Sequence, residues 1–157
     1  MTAEKTEDIA QAPALVLEGG GFRGMFTAGV LDVFLERGLT GFSSVWGTSA
    51  GAMNAVSFKS RQIGRTMRVM LAFRDDKRFM SLLSFAKTGD MAGGEFVYET
   101  VQNELDPCDV DAFMDNPMPM YAVASDVTFG TPSYLPVRRL PEDAVKVRAS
   151  ASLPAVS

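Results

Sequence analysis

The hydrophobic pattern begins with a short apolar run at residues 14–17, which ends in Glu18 and three glycines. Such a run followed by glycine is typical of a buried parallel strand that turns sharply at its end. Apolar residues then recur at three- and four-residue intervals over residues 25–37, and Gly38 follows. This spacing predicts a helix that stops at the glycine.

The same order of strand and helix repeats in the next segment. Residues 43–46 predict a second strand, and glycine and small residues follow it directly. The small residues from Gly47 to Gly51 separate this strand from a helix that ends near Phe58. The alternation predicts an α/β fold of three αβα layers with a mainly parallel central sheet.

The remaining hydrophobic pattern continues the α/β fold with less regular spacing. Three further helices are predicted, over residues 63–73, 79–85 and 95–105. Two further strands are predicted at 118–124 and 132–137, and the prolines of the second favour an edge position. Pro141, followed by two acidic residues, predicts the first position of a helix that ends near Ser150.

The two ends of the chain differ in character. Residues 1–11 mix charged and small side chains and lack the regions of a secretory signal, so we expect a flexible lead-in and a cytoplasmic protein. The weakly polar stretch 45–58 is too short and too polar to cross a bilayer. After Arg148 the chain carries no charge and resembles buried mid-domain sequence. We therefore expect the fold to be incomplete at this end.

Composition narrows the chemistry further. The 157 residues suit one domain, and 15 basic against 19 acidic side chains give a net charge of −4, which disfavours nucleic acid as a partner. The chain has no histidine, and its one cysteine is Cys108. These counts exclude a Ser-His-Asp triad, a His-rich zinc site and an intrachain disulfide. The chemistry must therefore use carboxylates, hydroxyls or backbone groups.

A GxSxG pentad runs from Gly47 to Gly51, between the second predicted strand and its helix. A nucleophile at such a turn has a strained backbone, and the flanking glycines let strand and helix approach each other. Ser49 would lie at a helix N-terminus, whose partial positive charge favours developing negative charge. The pattern also occurs in ordinary tight turns, but the neighbouring strand and helix favour a nucleophile.

A second glycine-rich loop, GGGFRG at residues 19–24, admits two interpretations. As GxGxxG it matches a dinucleotide fingerprint, but that site needs an acidic residue after the next strand, and residues 41–49 contain none. As an oxyanion loop, it exposes backbone N–H groups to a substrate oxygen. Gly20 and Gly21 would then be the donors, and Arg23 would orient the loop or attract an anionic head group.

The segments LVLEGGGFRGMFTAGVLDVFLERG and VWGTSAGAMNAV resemble the opening of bacterial patatin-like phospholipases. VASDVTFGTPSYL and ASASLP continue the resemblance more weakly. It implies a lipid acyl-ester hydrolase over residues 12–157 that uses a Ser-Asp dyad, with Ser49 as nucleophile, Gly20 and Gly21 as oxyanion hole, and no metal or organic cofactor. The supporting motif residues would be Gly19, Arg23, Gly24, Gly47 and Gly51.

One catalytic element of the resemblance is missing. The family's general base is an aspartate in a DGG or DGA motif, and neither triplet occurs in these 157 residues. We expect this aspartate beyond residue 157, in a domain truncated at its C-terminus. Asp126 is the interior alternative, although aspartates at strand ends commonly cap turns. The alternative to an enzyme is an inactive fragment that acts at most as a binding partner; a nucleotide-binding module is less favoured.

The expected partner is a lipid or ester substrate. Residues 59–78 hold seven basic and two acidic side chains. This excess is typical of a solvated helix face, and contact with an anionic membrane surface is the alternative. An incomplete sheet would also expose apolar surface through which the chain could self-associate.

Overall fold

The computed structural model describes residues 12–73 and 106–152. In these ranges an open sheet has the strand order β1-β2-β3-β4: β1 (Leu15–Leu17), β2 (Val45–Thr48), β3 (Met120–Asp126) and β4 (Thr131–Pro136). β1, β2 and β3 are parallel, and β4 is antiparallel to β3. The predicted α/β fold with a mainly parallel sheet is confirmed.

The described part of the chain contains five α-helices: α1 (Gly24–Glu36), α2 (Ala50–Lys59), α3 (Arg65–Phe73), α4 (Val110–Asp115) and α5 (Ala144–Ala151). A single 3₁₀ turn, Gly21–Arg23, precedes α1. None of these helices has the length and apolar character that a membrane span requires. The lead-in at 1–11 and the helices predicted at 79–85 and 95–105 lie outside the described residues.

The hydrophobic core lies between one face of the sheet and the helices. Because side chains alternate along a strand, Val45 and Ala122 face this core and are fully buried, while their neighbours face the other side. On that other face the Trp46 and Tyr121 rings stack with centroids 4.0 Å apart. Tyr134 meets Trp46 edge-on at 5.6 Å.

Three details of the helices and strands bear on the predictions. β4 is one of the two edge strands of the described sheet, as its prolines predict. The helix predicted from Pro141 begins instead at Ala144, because the Asp143 carboxylate accepts the N–H groups of Arg138 at 2.7 Å and Arg139 at 3.0 Å and closes a turn first. The hydrophobic pattern does not predict the short helix α4.

Candidate active site

The two glycine-rich loops lie in direct contact. One follows β1 and the other follows β2, and the carboxyl ends of parallel neighbours meet at one edge of the sheet. A Cβ added to Gly19 would lie 3.2 Å from the Ser49 Cβ and 3.2 Å from the Thr48 carbonyl oxygen. The main chain of one loop therefore touches the serine of the other.

Ser49 has the strained backbone of a sharp strand-to-helix turn. Its φ is 53° and its ψ is −121°, and in the described ranges only Arg61 is another non-glycine residue with positive φ. Such a conformation costs about 1–3 kcal/mol and persists only where the surroundings fix it. Ser49 is the N-cap residue of α2, and its half-buried side chain lies beside the helix N-terminus. The turn that the pentad predicts is present.

Glycines on both sides of Ser49 let the strand and helix meet. A Cβ on Gly47 would lie 2.5 Å from the Gly51 carbonyl oxygen and 2.6 Å from the Ala52 Cα. A Cβ on Gly51 would lie 2.6 Å from the Glu18 carbonyl oxygen. These are main-chain atoms that cannot move aside, so no side chain fits at either position.

The loop after β1 has backbone N–H groups that find no acceptor among the described residues. Gly20 has φ 151° and Gly21 has φ 54°, both in the region that favours glycine. Within residues 12–73 and 106–152, the amides of Gly20 and Gly21 donate to no protein group. Gly20 is the N-cap residue of the 3₁₀ turn and Gly21 is its first residue, so an anionic oxygen could accept from their N–H groups.

The Arg23 side chain folds back over this loop. Its Nε and Nη2 atoms lie 3.0 and 3.1 Å from the place where a Cβ on Gly20 would stand. The residue is exposed, and its guanidinium forms no ion pair with any residue that the structure describes. A cation is therefore held beside the open amides of the loop.

Asn54 joins the start of α1 to α2 and was not singled out by the sequence pattern. Its Nδ2 donates to the Gly24 carbonyl at 2.9 Å, and the residue is 1% exposed. Gly24 approaches so closely that a Cβ there would lie 2.9 Å from the Ala50 Cβ. The Asn54 Oδ1 is buried and finds no hydrogen-bond donor among the described residues.

Ser150 is a second contact that the sequence pattern does not reveal. Its hydroxyl accepts the Ser49 N–H at 2.8 Å and donates to the Val123 carbonyl at 2.6 Å. The residue is 8% exposed. The end of α5 is thus tied to the backbone of the candidate nucleophile.

Asp126, the interior candidate for a general base, caps a turn. Its Oδ1 accepts the N–H groups of Thr128 at 2.8 Å and Phe129 at 3.1 Å.

Burial raises the pKa of the Cys108 thiol, with a smaller opposing effect of Arg65, so this thiol is a poor nucleophile. The described residues contain no group of three His, Cys, Asp or Glu side chains that could hold a metal ion.

Two basic residues of the segment 59–78 are buried in structural contacts. The Lys59 ammonium donates to the carbonyls of Asn116 and Met118, the latter at 2.8 Å, and burial lowers its pKa. The Arg65 guanidinium donates to the Asp106 carbonyl at 2.7 Å. Lys59 and Arg65 therefore stabilise neighbouring loops and do not face a lipid surface.

Comparison with known proteins shows the family of this chain. Residues 15–157 match the family model described as patatin-like phospholipase. Over 145 residues the chain is 33% identical to uncharacterized protein YjjU of Escherichia coli (strain K12), which covers 90% of this chain. The chain spans about 40% of the length of that curated relative. From the family match and this relative together, we conclude that the chain belongs to the patatin-like phospholipase family, a family of lipid acyl hydrolases.

Proposed function

We propose that this chain carries the nucleophile and oxyanion loop of a serine hydrolase that cleaves lipid acyl esters. The contact between Gly19 and Ser49 carries the proposal, because it brings a strained serine next to backbone amides with no protein partner. Membership of the patatin-like family supports a lipid ester as the substrate class.

In the proposed reaction the Ser49 Oγ attacks the ester carbonyl carbon, and its proton passes to an aspartate. The carbonyl oxygen becomes an oxyanion that accepts the N–H groups of Gly20 and Gly21. Collapse of this intermediate expels the alcohol, which takes the proton from the aspartic acid, and leaves an acyl-serine. The aspartate then takes a proton from water as the water oxygen attacks the acyl carbon. When this second intermediate collapses, the fatty acid leaves and the aspartic acid returns the proton to the Ser49 Oγ.

We place the general base after residue 157, as the resemblance to Ser-Asp enzymes implies. No carboxylate in the described ranges accepts a hydrogen bond from Ser49. The hydrogen bond between Ser49 and Ser150 places the end of α5 beside the nucleophile. This placement supports an aspartate that follows later in the chain and reaches Ser49 from that side.

Exposed apolar side chains at the same edge of the sheet support a lipid substrate. Thr48, the last residue of β2, pairs with Val123 of β3. From this pair β3 extends by three more residues, or about 10 Å, to the β3–β4 turn. Val127 and Phe129 in this turn are 89% and 78% exposed. Phe26 in the first turn of α1 is 81% exposed. An aggregated lipid could cover these side chains while an ester reaches Ser49.

A fluorophosphonate probe tests the proposal directly. Applied to the protein in its full expressed length, it should label Ser49, and Ser49→Ala should abolish the labelling. Ser43→Ala is the matched control, because Ser43 precedes β2 and lies at the opposite end of this strand from Ser49. Fatty-acid release from phospholipid, lysophospholipid and triglyceride then identifies the substrate. Labelling that persists in Ser49→Ala, or folded protein that is never labelled, would refute the assignment.

A further inference from the structure

A side-chain hydroxyl occupies the place of one backbone hydrogen bond between β2 and β3. The Val45 N–H donates to the Pro119 carbonyl at 2.9 Å. Donors of one parallel strand recur at every second residue, so the same ladder would join the Ser49 N–H to the Val123 carbonyl. Instead, the Ser150 hydroxyl lies between these two groups, at 2.8 Å from one and 2.6 Å from the other.

The bridging hydroxyl matters because the chain leaves the strand at Ser49, and the N–H of this residue still needs a hydrogen-bond acceptor. The chain leaves the extended conformation at Ser49, whose φ is 53°, and at this point the hydroxyl stands between the two strands. An absent bond would leave a donor and an acceptor unpaired in a partly buried place, which is unfavourable. The hydroxyl bridges the gap and satisfies both groups while the strands separate.

The direction of the Ser150 side chain is specific to this contact. Serine hydroxyls in helices often bond to a carbonyl of their own helix, one turn earlier. Ser152, two residues later, does so: its hydroxyl donates to the Arg148 carbonyl at 3.0 Å. The Ser150 hydroxyl instead leaves α5 and reaches β2 and β3.

We propose that Ser150 is a positioning residue whose hydroxyl fixes the Ser49 backbone and thereby directs the nucleophile. Its catalytic consequence rests on the function proposed above. Three variants separate the effects: Ser150→Ala removes the hydroxyl, Ser150→Thr keeps it, and Ser152→Ala removes a hydroxyl from the exposed end of the same helix. If Ser150→Ala does not fold, Ser150→Cys, with its weaker hydrogen bonds, replaces it.

The first measurement is independent of activity. Amide hydrogen exchange by NMR should show the Ser49 N–H protected in the wild type, in Ser150→Thr and in Ser152→Ala. In Ser150→Ala it should exchange at least ~10-fold faster, because its acceptor is gone. Equal protection in Ser150→Ala would overturn the proposal.

The second measurement is the rate of fluorophosphonate labelling per folded molecule of the full expressed protein. Misplacing a reacting group by about 1 Å can cost ~100-fold in rate, so Ser150→Ala should label at least ~10-fold more slowly, with recovery in Ser150→Thr. An unchanged rate in Ser150→Ala would overturn the positioning role. A wild type that is not labelled contradicts the proposed function instead, and the exchange result alone then decides whether the hydroxyl holds Ser49.

Discussion

Gly19 and Ser49 lie so close that a methyl group on the glycine would stand 3.2 Å from the serine Cβ. The two residues are 30 positions apart in the sequence, and they meet because β1 and β2 are parallel neighbours in the sheet. This contact joins two loops, each of which occurs in many proteins, into one site with a strained serine and open amides. The geometry of the contact is therefore the first property to test.

Substituting Gly19→Ala should impair the site more than it destabilises the fold. The φ of Gly19 is not in the left-handed region, so the added methyl tests only the close approach. The loop or the turn must shift by a few tenths of an ångström, and we expect a ~10-fold slower fluorophosphonate reaction with a stability loss of about 1 kcal/mol. Gly41→Ala is the control, because a methyl there contacts nothing within 4 Å. Equal reactivity of both variants would contradict the prediction.

The sequence predicts the elements of this site because their signals are local. The apolar run before the triple glycine, and the glycines on both sides of Ser49, specify sharp turns within a few residues. Asp109 also gives a local signal that could have revealed α4, since its side chain caps that helix by accepting the Ala112 N–H at 2.9 Å.

Ser150 shows why the rest of the site could not be predicted. Its hydroxyl meets Ser49 across 101 positions of sequence, and only the packing of α5 against β3 brings them together. In a helix pattern a serine reads as a neutral surface or turn residue. Asn54 is a similar case, because its partner is the Gly24 carbonyl of another helix.

The free energy of unfolding should depend on the charge and shape of the residue that replaces Asn54. Asn54→Asp removes the donor to the Gly24 carbonyl and buries a carboxylate, so we expect a loss of about 3 kcal/mol in the free energy of unfolding. Asn54→Leu also loses the donor but removes the unpartnered Oδ1, so its loss should be about 1 kcal/mol. Urea unfolding at pH 7 measures both. A Leu variant less stable than the Asp variant would show that the prediction is wrong.

Asp143 should make the stability depend on acid pH. Burial alone would raise the pKa of its carboxyl, but hydrogen bonds from the Lys146 side chain and the Arg138 and Arg139 amides outweigh burial and lower it. A lowered pKa in the folded state stabilises the fold above the unfolded pKa of about 4, and this stabilisation disappears as the pH falls through the folded pKa.

The Asp143→Asn variant isolates this contribution. The carboxylate lies 2.7 Å from the Lys146 ammonium, and its side chain is 18% exposed, so we expect the wild type to be about 1 kcal/mol more stable at pH 7. Near pH 2.5 this difference should be smaller, because the wild-type carboxyl takes up protons as the pH falls through its lowered folded pKa. Urea unfolding at the two pH values checks this. A difference that is the same at both would show that titration of Asp143 is not responsible.

The β3–β4 turn should contribute to lipid binding if the proposed function is correct. Asp126 holds the turn by accepting the Thr128 and Phe129 N–H groups, so changing the exposed side chains leaves these backbone contacts in place. Burying a phenylalanine side chain contributes about 1.5–3 kcal/mol, which corresponds to at least a ~10-fold change in partition. We therefore expect the double variant Val127→Ser, Phe129→Ser to bind phosphatidylcholine vesicles at least ~10-fold more weakly.

Co-sedimentation with these vesicles measures the partition of the full expressed protein. Val145→Ser is the matched control, because Val145 is 64% exposed but lies on α5, outside the β3–β4 turn. Its partition should equal that of the wild type, since loss of one exposed apolar side chain outside the turn removes nothing that enters the lipid. If both variants lose binding equally, the effect is general surface hydrophobicity. If neither does, the lipid reaches Ser49 without the β3–β4 turn, and the turn has no part in substrate capture.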